Sequence, residues 1–121
     1  MTTTPRTNPG VRGPARILVA NRGEIALRAA RCIREMGLES ATVYSRVDAD
    51  SLHVRYADRA LPLAGARTSR TYGSIQRILE AAEAAGADAV YCGYGFLSES
   101  PEFAHTCRQK RITFIGPEPE V

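Results

Sequence analysis

Two glycine-containing turns carry the residue types in this chain that are best suited to binding chemistry. The first runs from Gly93 to Glu99 with the sequence GYGFLSE, and it follows an apolar run at residues 87–92 that is typical of a buried strand. Its glycines permit a sharp backbone bend. In open α/β sheets, ligands bind beyond the carboxyl ends of the strands. We therefore take Tyr94 and Glu99 as candidate site residues. The alternative is that Tyr94 and Phe96 are packing groups and that Glu99 is a carboxylate favoured by the dipole at a helix start.

The second turn, Asn21–Arg22–Gly23, also follows an apolar run, at residues 17–20, and precedes a helical pattern. A helix N-terminus beside an arginine can bind an anion. The alternative interpretation is structural: Asn21 caps the helix and Gly23 permits a tight turn. This turn lacks the three glycines of a dinucleotide fingerprint, and the chain contains no P-loop motif, so NAD or GTP binding is not expected.

Composition places the chain among single-domain globular proteins. It has 121 residues, of which 44% are hydrophobic and 24% are charged, and a chain of this length can bury a core without disulfides or metal. The net charge of +3 is not gathered into a cluster of Lys and Arg, so we expect no nucleic-acid interface. No apolar run approaches the roughly 20 residues that cross a bilayer, so we expect no membrane span.

The three cysteines and two histidines do not have the spacing of a metal site, because structural metal ligands usually occur as closely spaced pairs. We therefore predict no metal ligands and no catalytic cysteine. Cys32, Cys92 and Cys107 fall in predicted helices and strands. The favoured interpretation is that they are buried free thiols in a reducing compartment, the cytoplasm.

The elements that must position the two turns alternate between strand and helix. Apolar runs and helical periodicity predict five strands and four helices: strands Arg16–Ala20, Ala41–Tyr44, Arg59–Leu63, Ala89–Cys92 and Ile112–Ile115, and helices Glu24–Met36, Leu52–Tyr56, Ile75–Ala85 and Pro101–Gln109. Such alternation favours a parallel sheet with helices on both faces. The predicted fold is one α/β, Rossmann-like, three-layer domain, with the third strand near an edge because of Pro62.

The first predicted helix has two faces. Its apolar stripe is expected to face the sheet and consists of Ile25, Ala29, Cys32, Ile33 and Met36. Its polar stripe contains Arg28, Arg31 and Glu35, and a solvated helix face is one interpretation of it. A contact surface for another protein is the alternative.

Three sequence blocks, in this order and spacing, resemble the start of the biotin carboxylase component of biotin-dependent carboxylases. They are Asn21–Arg28 (NRGEIALR), Gly93–Glu99 (GYGFLSE) and Phe114–Pro117 (FIGP). The resemblance runs from Arg16 to the end of the chain. It implies a pre-ATP-grasp domain at residues 16–117, followed by the first residues of a linker at 118–121. Residues 1–15 are rich in Thr, Pro, Gly and Arg, which favours a disordered tail over the alternative of an organelle transit peptide.

The resemblance also implies a function and a set of partners. In this family, bicarbonate carboxylates biotin with ATP and Mg²⁺ or Mn²⁺, and the biotin is attached to a carrier protein. Tyr94 and Gly95 are then expected to lie against the biotin ring, with Glu99 close by. The polar stripe of the first helix is expected at a homodimer contact. The implied partners are the ATP-grasp and C-terminal domains, the biotin carboxyl carrier protein and a carboxyltransferase.

The chain also departs from its family and lacks parts of it. Tyr91 and Cys92 stand where the family usually has His-Pro. The sequence contains neither a glycine-rich phosphate-gripping hairpin nor a paired-carboxylate metal motif, so we assign it no catalytic residues, expect no tightly bound cofactor, and predict that it is inactive alone. Two alternatives remain open: a stand-alone Rossmann-like module that binds a small molecule, and a non-catalytic partner domain of a carboxylase complex.

Overall fold

The computed structural model of the chain describes residues 15–63, 72–93 and 97–115. In these ranges the backbone forms a parallel five-stranded sheet in the order β3-β2-β1-β4-β5. The strands are β1 Arg16–Val19, β2 Glu39–Tyr44, β3 Arg59–Pro62, β4 Ala89–Tyr91 and β5 Thr113–Ile115. The predicted parallel sheet is confirmed, and so is the edge position of the proline-containing strand.

Four α-helices connect the strands: α1 Gly23–Glu35, α2 Leu52–Tyr56, α3 Ile75–Ala85 and α4 Pro101–Gln109. A short 3₁₀ helix, Arg46–Asp48, follows β2. The helix predictions agree with these bounds to within one residue. The predicted tail and linker lie outside the described residues, apart from Ala15, and they stay predictions.

Side-chain hydrogen bonds fix the starts of two helices, and a left-handed glycine ends one of them. Ser74 accepts a hydrogen bond from the Arg77 backbone N–H at the start of α3, and Ser100 accepts one from the Phe103 N–H at the start of α4. Gly86 ends α3 with φ +68°, a conformation that glycine adopts without steric cost. These three boundaries are as predicted.

Helices pack on both faces of the sheet, which confirms the three-layer arrangement. Alternate residues of β1 point to opposite faces, as the pleat of a strand requires. Leu18 belongs to a core that includes residues of α3 and α4, whereas Ile17 and Val19 pack with Ala26 and Ile33 of α1. None of the helices among the described residues has the length and apolar composition that spanning a bilayer requires.

The apolar stripe of α1 is only partly turned toward the sheet, which corrects the prediction for this helix. Ile33 is buried as predicted, but Cys32 and Met36 are exposed. The stripe forms one wall of an open groove of about 430 Å³, and Tyr91 and Ile115 line the other side. Those two side chains lie on the half of the sheet built from β4 and β5, and they are only partly buried.

Candidate functional site

The strand order brings the two glycine-containing turns to the same edge of the sheet. β1 pairs in parallel with β4, so that Val19 lies opposite Tyr91, and the chain leaves both strands on the same side. These are the strands at which the order along the sheet reverses direction. In open α/β sheets, the crevice outside such a switch point is the usual place for ligands.

Asn21 joins the two turns directly. Its side chain is fully buried; the Nδ2 atom donates a hydrogen bond to the Cys92 carbonyl at 2.6 Å, and Oδ1 accepts one from the Arg22 N–H at 2.8 Å. The suggestion that Asn21 caps α1 is therefore wrong, because Arg22 occupies the N-cap and makes no capping bond through its side chain. Asn21 holds the end of β4 instead.

Gly93, the first residue of the bend after β4, has no room for a side chain. Its φ is +70°, and a Cβ atom built there would lie 2.8 Å from Ile25 Cγ2 and 3.3 Å from Asn21 Nδ2. Gly23, in the other turn, has φ +63° with open space around it. At Gly23, only the positive φ favours glycine. At Gly93, the positive φ and the lack of space for a Cβ atom both favour it.

Arg22 forms an ion pair with Asp48, the last residue of the 3₁₀ helix after β2. The Nε atom donates to Oδ2 at 2.8 Å and Nη2 donates to Oδ1 at 2.6 Å. The Asp48 side chain is 7% exposed and that of Arg22 is 50% exposed. The hydrogen bonds from Arg22 lower the pKa of Asp48 to about 2, against the opposing effect of burial, and the same pair raises the pKa of Arg22.

Two further groups converge on the same carboxylate. The Tyr72 hydroxyl donates to Asp48 Oδ2 at 2.6 Å, and the Ser45 hydroxyl donates to the same atom at 3.2 Å. The Ser45 N–H in turn donates to the Tyr72 oxygen at 3.1 Å. Burial raises the pKa of Tyr72, and its hydrogen bond to Asp48 acts in the same direction. Asp48 Oδ2 therefore accepts hydrogen bonds from three side chains.

Sequence reasoning missed this cluster. The sequence pattern around Asp48 and around Tyr72 does not link the two residues. The two residues are separated by 24 positions, and a single Asp in a turn-like segment has the same composition whether or not it is buried. Asp48 is followed by Ala49, Asp50 and Ser51, and nothing in that run of residues identifies its partner.

The fully buried side chain of His53, in α2, is unusual because neither ring nitrogen makes a hydrogen bond to the described residues. Burial lowers the pKa of His53, which the nearby Asp48 carboxylate and Val43 backbone only partly oppose. A buried imidazole avoids the desolvation penalty of the charged form by staying neutral. His53 is thus a neutral core residue at neutral pH.

The remaining predicted residues fall in different places. Tyr94 and Gly95 lie outside the described residues. Glu99 is exposed just before α4, and the neighbouring Ser98 is buried with its Oγ atom unpartnered in the part of the chain that the structure covers. On the polar stripe of α1, Arg28, Arg31 and Glu35 are all exposed, and Arg28 lies 3.7 Å from Glu24 in an i,i+4 pair.

The three cysteines are free thiols, but they are not alike. Cys92 and Cys107 are buried, and burial raises the pKa of Cys92 to about 12 and that of Cys107 to about 11. Cys32 is exposed, which corrects the prediction that all three are buried. Within the described ranges, no group of three or more His, Cys, Asp and Glu side chains is arranged to hold a metal ion.

Comparison with known proteins assigns the chain to a family. The family model described as the N-terminal domain of biotin carboxylase matches residues 14–121. The chain belongs to the biotin carboxylase N-terminal domain family. It is 49% identical over 107 residues to a pyruvate carboxylase subunit from Methanothermobacter thermautotrophicus, covering 88% of this chain and 22% of that protein. It is 44% identical over 106 residues to biotin carboxylase of Halalkalibacterium halodurans, covering 88% and 24%.

Solved structures agree with this assignment to the biotin carboxylase family. A biotin carboxylase complex with β-γ-ATP from Campylobacter jejuni superposes with a TM-score of 0.86 at 50% identity, covering 89% of this chain and 24% of that one. The urea carboxylase of Kluyveromyces lactis gives a TM-score of 0.86 at 43% identity, covering 88% and 10%. The chain spans about a quarter, or less, of the length of these relatives.

Proposed function

We propose that this chain forms one wall of a biotin carboxylase active site, in which bicarbonate carboxylates biotin with the help of ATP. The observation that carries the proposal is the meeting of the two turns at the β1/β4 switch point, held by the bond from Asn21 to the Cys92 carbonyl. Residues that follow Gly93, namely Tyr94, Gly95 and Glu99, are the proposed contacts for the biotin ring.

The charge balance at this edge of the sheet suits a neutral ring better than a polyphosphate. Arg22 is bonded through two nitrogens to Asp48, which neutralises its charge locally. Phosphates require cations, helix N-termini or metal ions, whereas an uncharged bicyclic ligand needs close backbone approach and a few polar contacts. We therefore assign biotin to this domain.

The other components of the reaction belong, in this proposal, to carboxylase domains outside this chain. Biotin supplies the ureido nitrogen that accepts the carboxyl group, and ATP with Mg²⁺ or Mn²⁺ supplies the phosphoryl group that activates bicarbonate. The proposed partners are an ATP-grasp domain, a C-terminal carboxylase domain, the biotin carboxyl carrier protein and a carboxyltransferase. We also propose a cytoplasmic location, because the free thiols of Cys92 and Cys107 suit a reducing compartment.

A chimaeric enzyme tests the proposal. Residues 16–117 of this chain would replace the matching segment of the Campylobacter jejuni biotin carboxylase, and biotin- and bicarbonate-dependent ATP hydrolysis would be measured. We expect turnover by the chimaera and none by the 121-residue chain alone. Within the chimaera, Tyr94→Ala should raise the KM for free biotin while the KM for ATP stays the same.

Glu99→Gln and Glu102→Gln form a matched pair, because both carboxylates are exposed at the start of α4. Only the first should alter the KM for biotin. A folded but inactive chimaera, or a KM for biotin indifferent to Tyr94→Ala, would contradict the proposal. Thermal stabilisation of the 121-residue chain by nucleotides and not by biotin would favour a stand-alone nucleotide-binding module instead.

We also propose that the polar stripe of α1 contributes to a homodimer contact in the complete enzyme. Arg31 and Glu35 are exposed, and their i,i+4 spacing places them on the same face of the helix. In the chimaera, Arg31→Glu should shift the protein from dimer to monomer in analytical ultracentrifugation. Arg55→Glu, at an exposed position of α2, is the control and should leave the dimer intact.

A further inference from the structure

We propose, resting on the proposed function, that Asp48 and Tyr72 are positioning residues for the bend that starts at Cys92 and Gly93. Neither residue lies in the two turns themselves. They act through a series of hydrogen bonds, joined by the side chain and backbone of Arg22, that crosses the carboxyl ends of three neighbouring strands, β2, β1 and β4. Through this series, the position of the Tyr72 hydroxyl affects the position of the bend after β4.

The series can be followed bond by bond. The Tyr72 hydroxyl donates to Asp48 at 2.6 Å, and Asp48 accepts two hydrogen bonds from the Arg22 guanidinium at 2.6 and 2.8 Å. The Arg22 backbone N–H donates to Asn21 Oδ1 at 2.8 Å, and Asn21 Nδ2 donates to the Cys92 carbonyl at 2.6 Å. All the links are short hydrogen bonds, and the 2.6 Å bonds donated by Arg22 Nη2 and Asn21 Nδ2 lie at the short end of the range for N–H···O bonds.

Burial stiffens the two ends of this series, on either side of the half-exposed Arg22 side chain. Asn21 and Tyr72 are at most 2% exposed and Asp48 is 5% exposed, so water cannot readily replace their partners. Hydrogen bonds to ionised groups are stronger than neutral ones, and an unsatisfied buried acceptor is costly. Gly93 lies against the far end, where a Cβ atom would approach Asn21 Nδ2 to 3.3 Å. Because Asn21 Nδ2 is bonded to the Cys92 carbonyl, a displaced Asn21 amide either moves the start of the bend or loses that hydrogen bond.

Substituting Asp48 by Asn removes the negative charge and, in either orientation of the new amide, at least one of the two hydrogen bonds from Arg22. If the NH₂ group replaces Oδ1, it faces the Arg22 Nη2 donor. If it replaces Oδ2, it faces the Arg22 Nε donor and the hydroxyls of Tyr72 and Ser45. Tyr72→Phe is the milder change, because it keeps the ring and removes only the oxygen that bonds Asp48 and the Ser45 N–H.

A second ion pair offers a matched control on the same sheet. Arg16 and Glu39 are the first residues of β1 and β2, and their side chains meet at 2.6 Å at the opposite, amino edge. Glu39→Gln removes a charge from a β1–β2 ion pair, as Asp48→Asn does, but at the end of the sheet remote from the bend.

The first experiment uses the 121-residue chain and backbone amide NMR shifts. Asp48→Asn and Tyr72→Phe should each shift the amide resonance of Gly93, and Glu39→Gln should not. A Gly93 resonance that stays in place while those of Arg22 and Gly23 move would overturn the proposal, because the cluster would then fix only the nearer turn. If Asp48→Asn does not fold, Tyr72→Phe decides the result.

The second experiment uses the chimaeric enzyme and compares the KM for free biotin with the KM for ATP. A small displacement of a binding group can reduce its contribution strongly, so we expect Asp48→Asn to raise the KM for free biotin about tenfold, equivalent to ~1.4 kcal/mol, with the KM for ATP unchanged. Equal changes in both constants would contradict a positioning role. An inactive parent chimaera would count against the proposed function only, since the NMR result stands without it.

Discussion

Gly93 is enclosed by its neighbours, and this makes it the residue whose substitution reports most directly on the site. Both Gly93 and Gly37 have positive φ, at +70° and +79°, but only Gly93 has atoms within 4 Å of a built Cβ. A non-glycine residue at positive φ costs about 1–2 kcal/mol, and overpacking adds about 1–3 kcal/mol. The two glycines therefore separate the conformational cost from the steric one.

We expect Gly93→Ala to lower the free energy of unfolding by about 2–5 kcal/mol, because both costs apply. Gly37→Ala should lower it by only about 1–2 kcal/mol. Urea denaturation followed by circular dichroism measures both. Equal losses for the two variants would mean that Ile25 and Asn21 move aside without cost.

His53 should make the stability of the domain depend on pH. Burial lowers its pKa in the folded chain from the ordinary 6.5. Just below pH 6.5, the His53 ring is therefore protonated in the unfolded chain and still neutral in the folded chain. The free energy of unfolding should then fall as pH decreases below about 6.5, with a slope of up to about 1.4 kcal/mol per pH unit, until the folded ring is protonated as well.

The measurement is a series of urea denaturation curves between pH 7.5 and pH 5, for the parent chain and two variants. His53→Gln should remove most of the slope. His105→Gln, at an exposed position, serves as control and should keep the slope of the parent. A parent chain whose stability is constant over this range would show that His53 titrates normally.

At the scale of helices and strands, side-chain hydrogen bonds distinguish a serine that caps a helix from one that only precedes it. The Ser100 side chain accepts a capping hydrogen bond from the Phe103 N–H, whereas the Ser51 side chain makes no capping hydrogen bond at the start of α2. Ser100→Ala should therefore cost about 1 kcal/mol of stability, and Ser51→Ala only a few tenths. Thermal denaturation of the two variants compares them, and a larger loss for Ser51→Ala would contradict this assignment.

Most of the fold could be predicted because local signals and packing agree. Pro101 and Ser100 mark the start of α4, Gly86 marks the end of α3, and Pro62 places β3 at an edge. The face of α1 could not be predicted from periodicity alone. Its stripe is apolar along the whole helix, but only Ile33 and part of the helix meet the sheet.

The candidate site was predictable only in part, for a physical reason. Strand–turn patterns place Asn21 and Gly93 after β1 and β4, and parallel pairing then brings them together. The bond from Arg22 to Asp48, and that from Asp48 to Tyr72, depend on side-chain positions set by the whole fold. Those pairs are 26 and 24 residues apart, and no local rule connects them.

At the scale of the whole molecule, the three thiols differ in their exposure to solvent. Cys32 is exposed on the groove, and Cys92 and Cys107 are buried with raised pKa values. Since the thiolate is the reactive form, N-ethylmaleimide at pH 7.5 should label Cys32 alone in the folded chain and all three in urea. Mass spectrometry of peptides gives the sites, and early labelling of Cys92 would mean that the core opens easily.

The same groove gives the chain a practical use. Met36, Tyr91 and Ile115 give it a hydrocarbon lining, and Cys32 stands within its wall. Small thiol-containing fragments that form a mixed disulfide with Cys32 would be retained under mild reduction only if they also fit that lining. A screen by intact-protein mass spectrometry would thus map the shape preferences of this surface without any enzymatic assay.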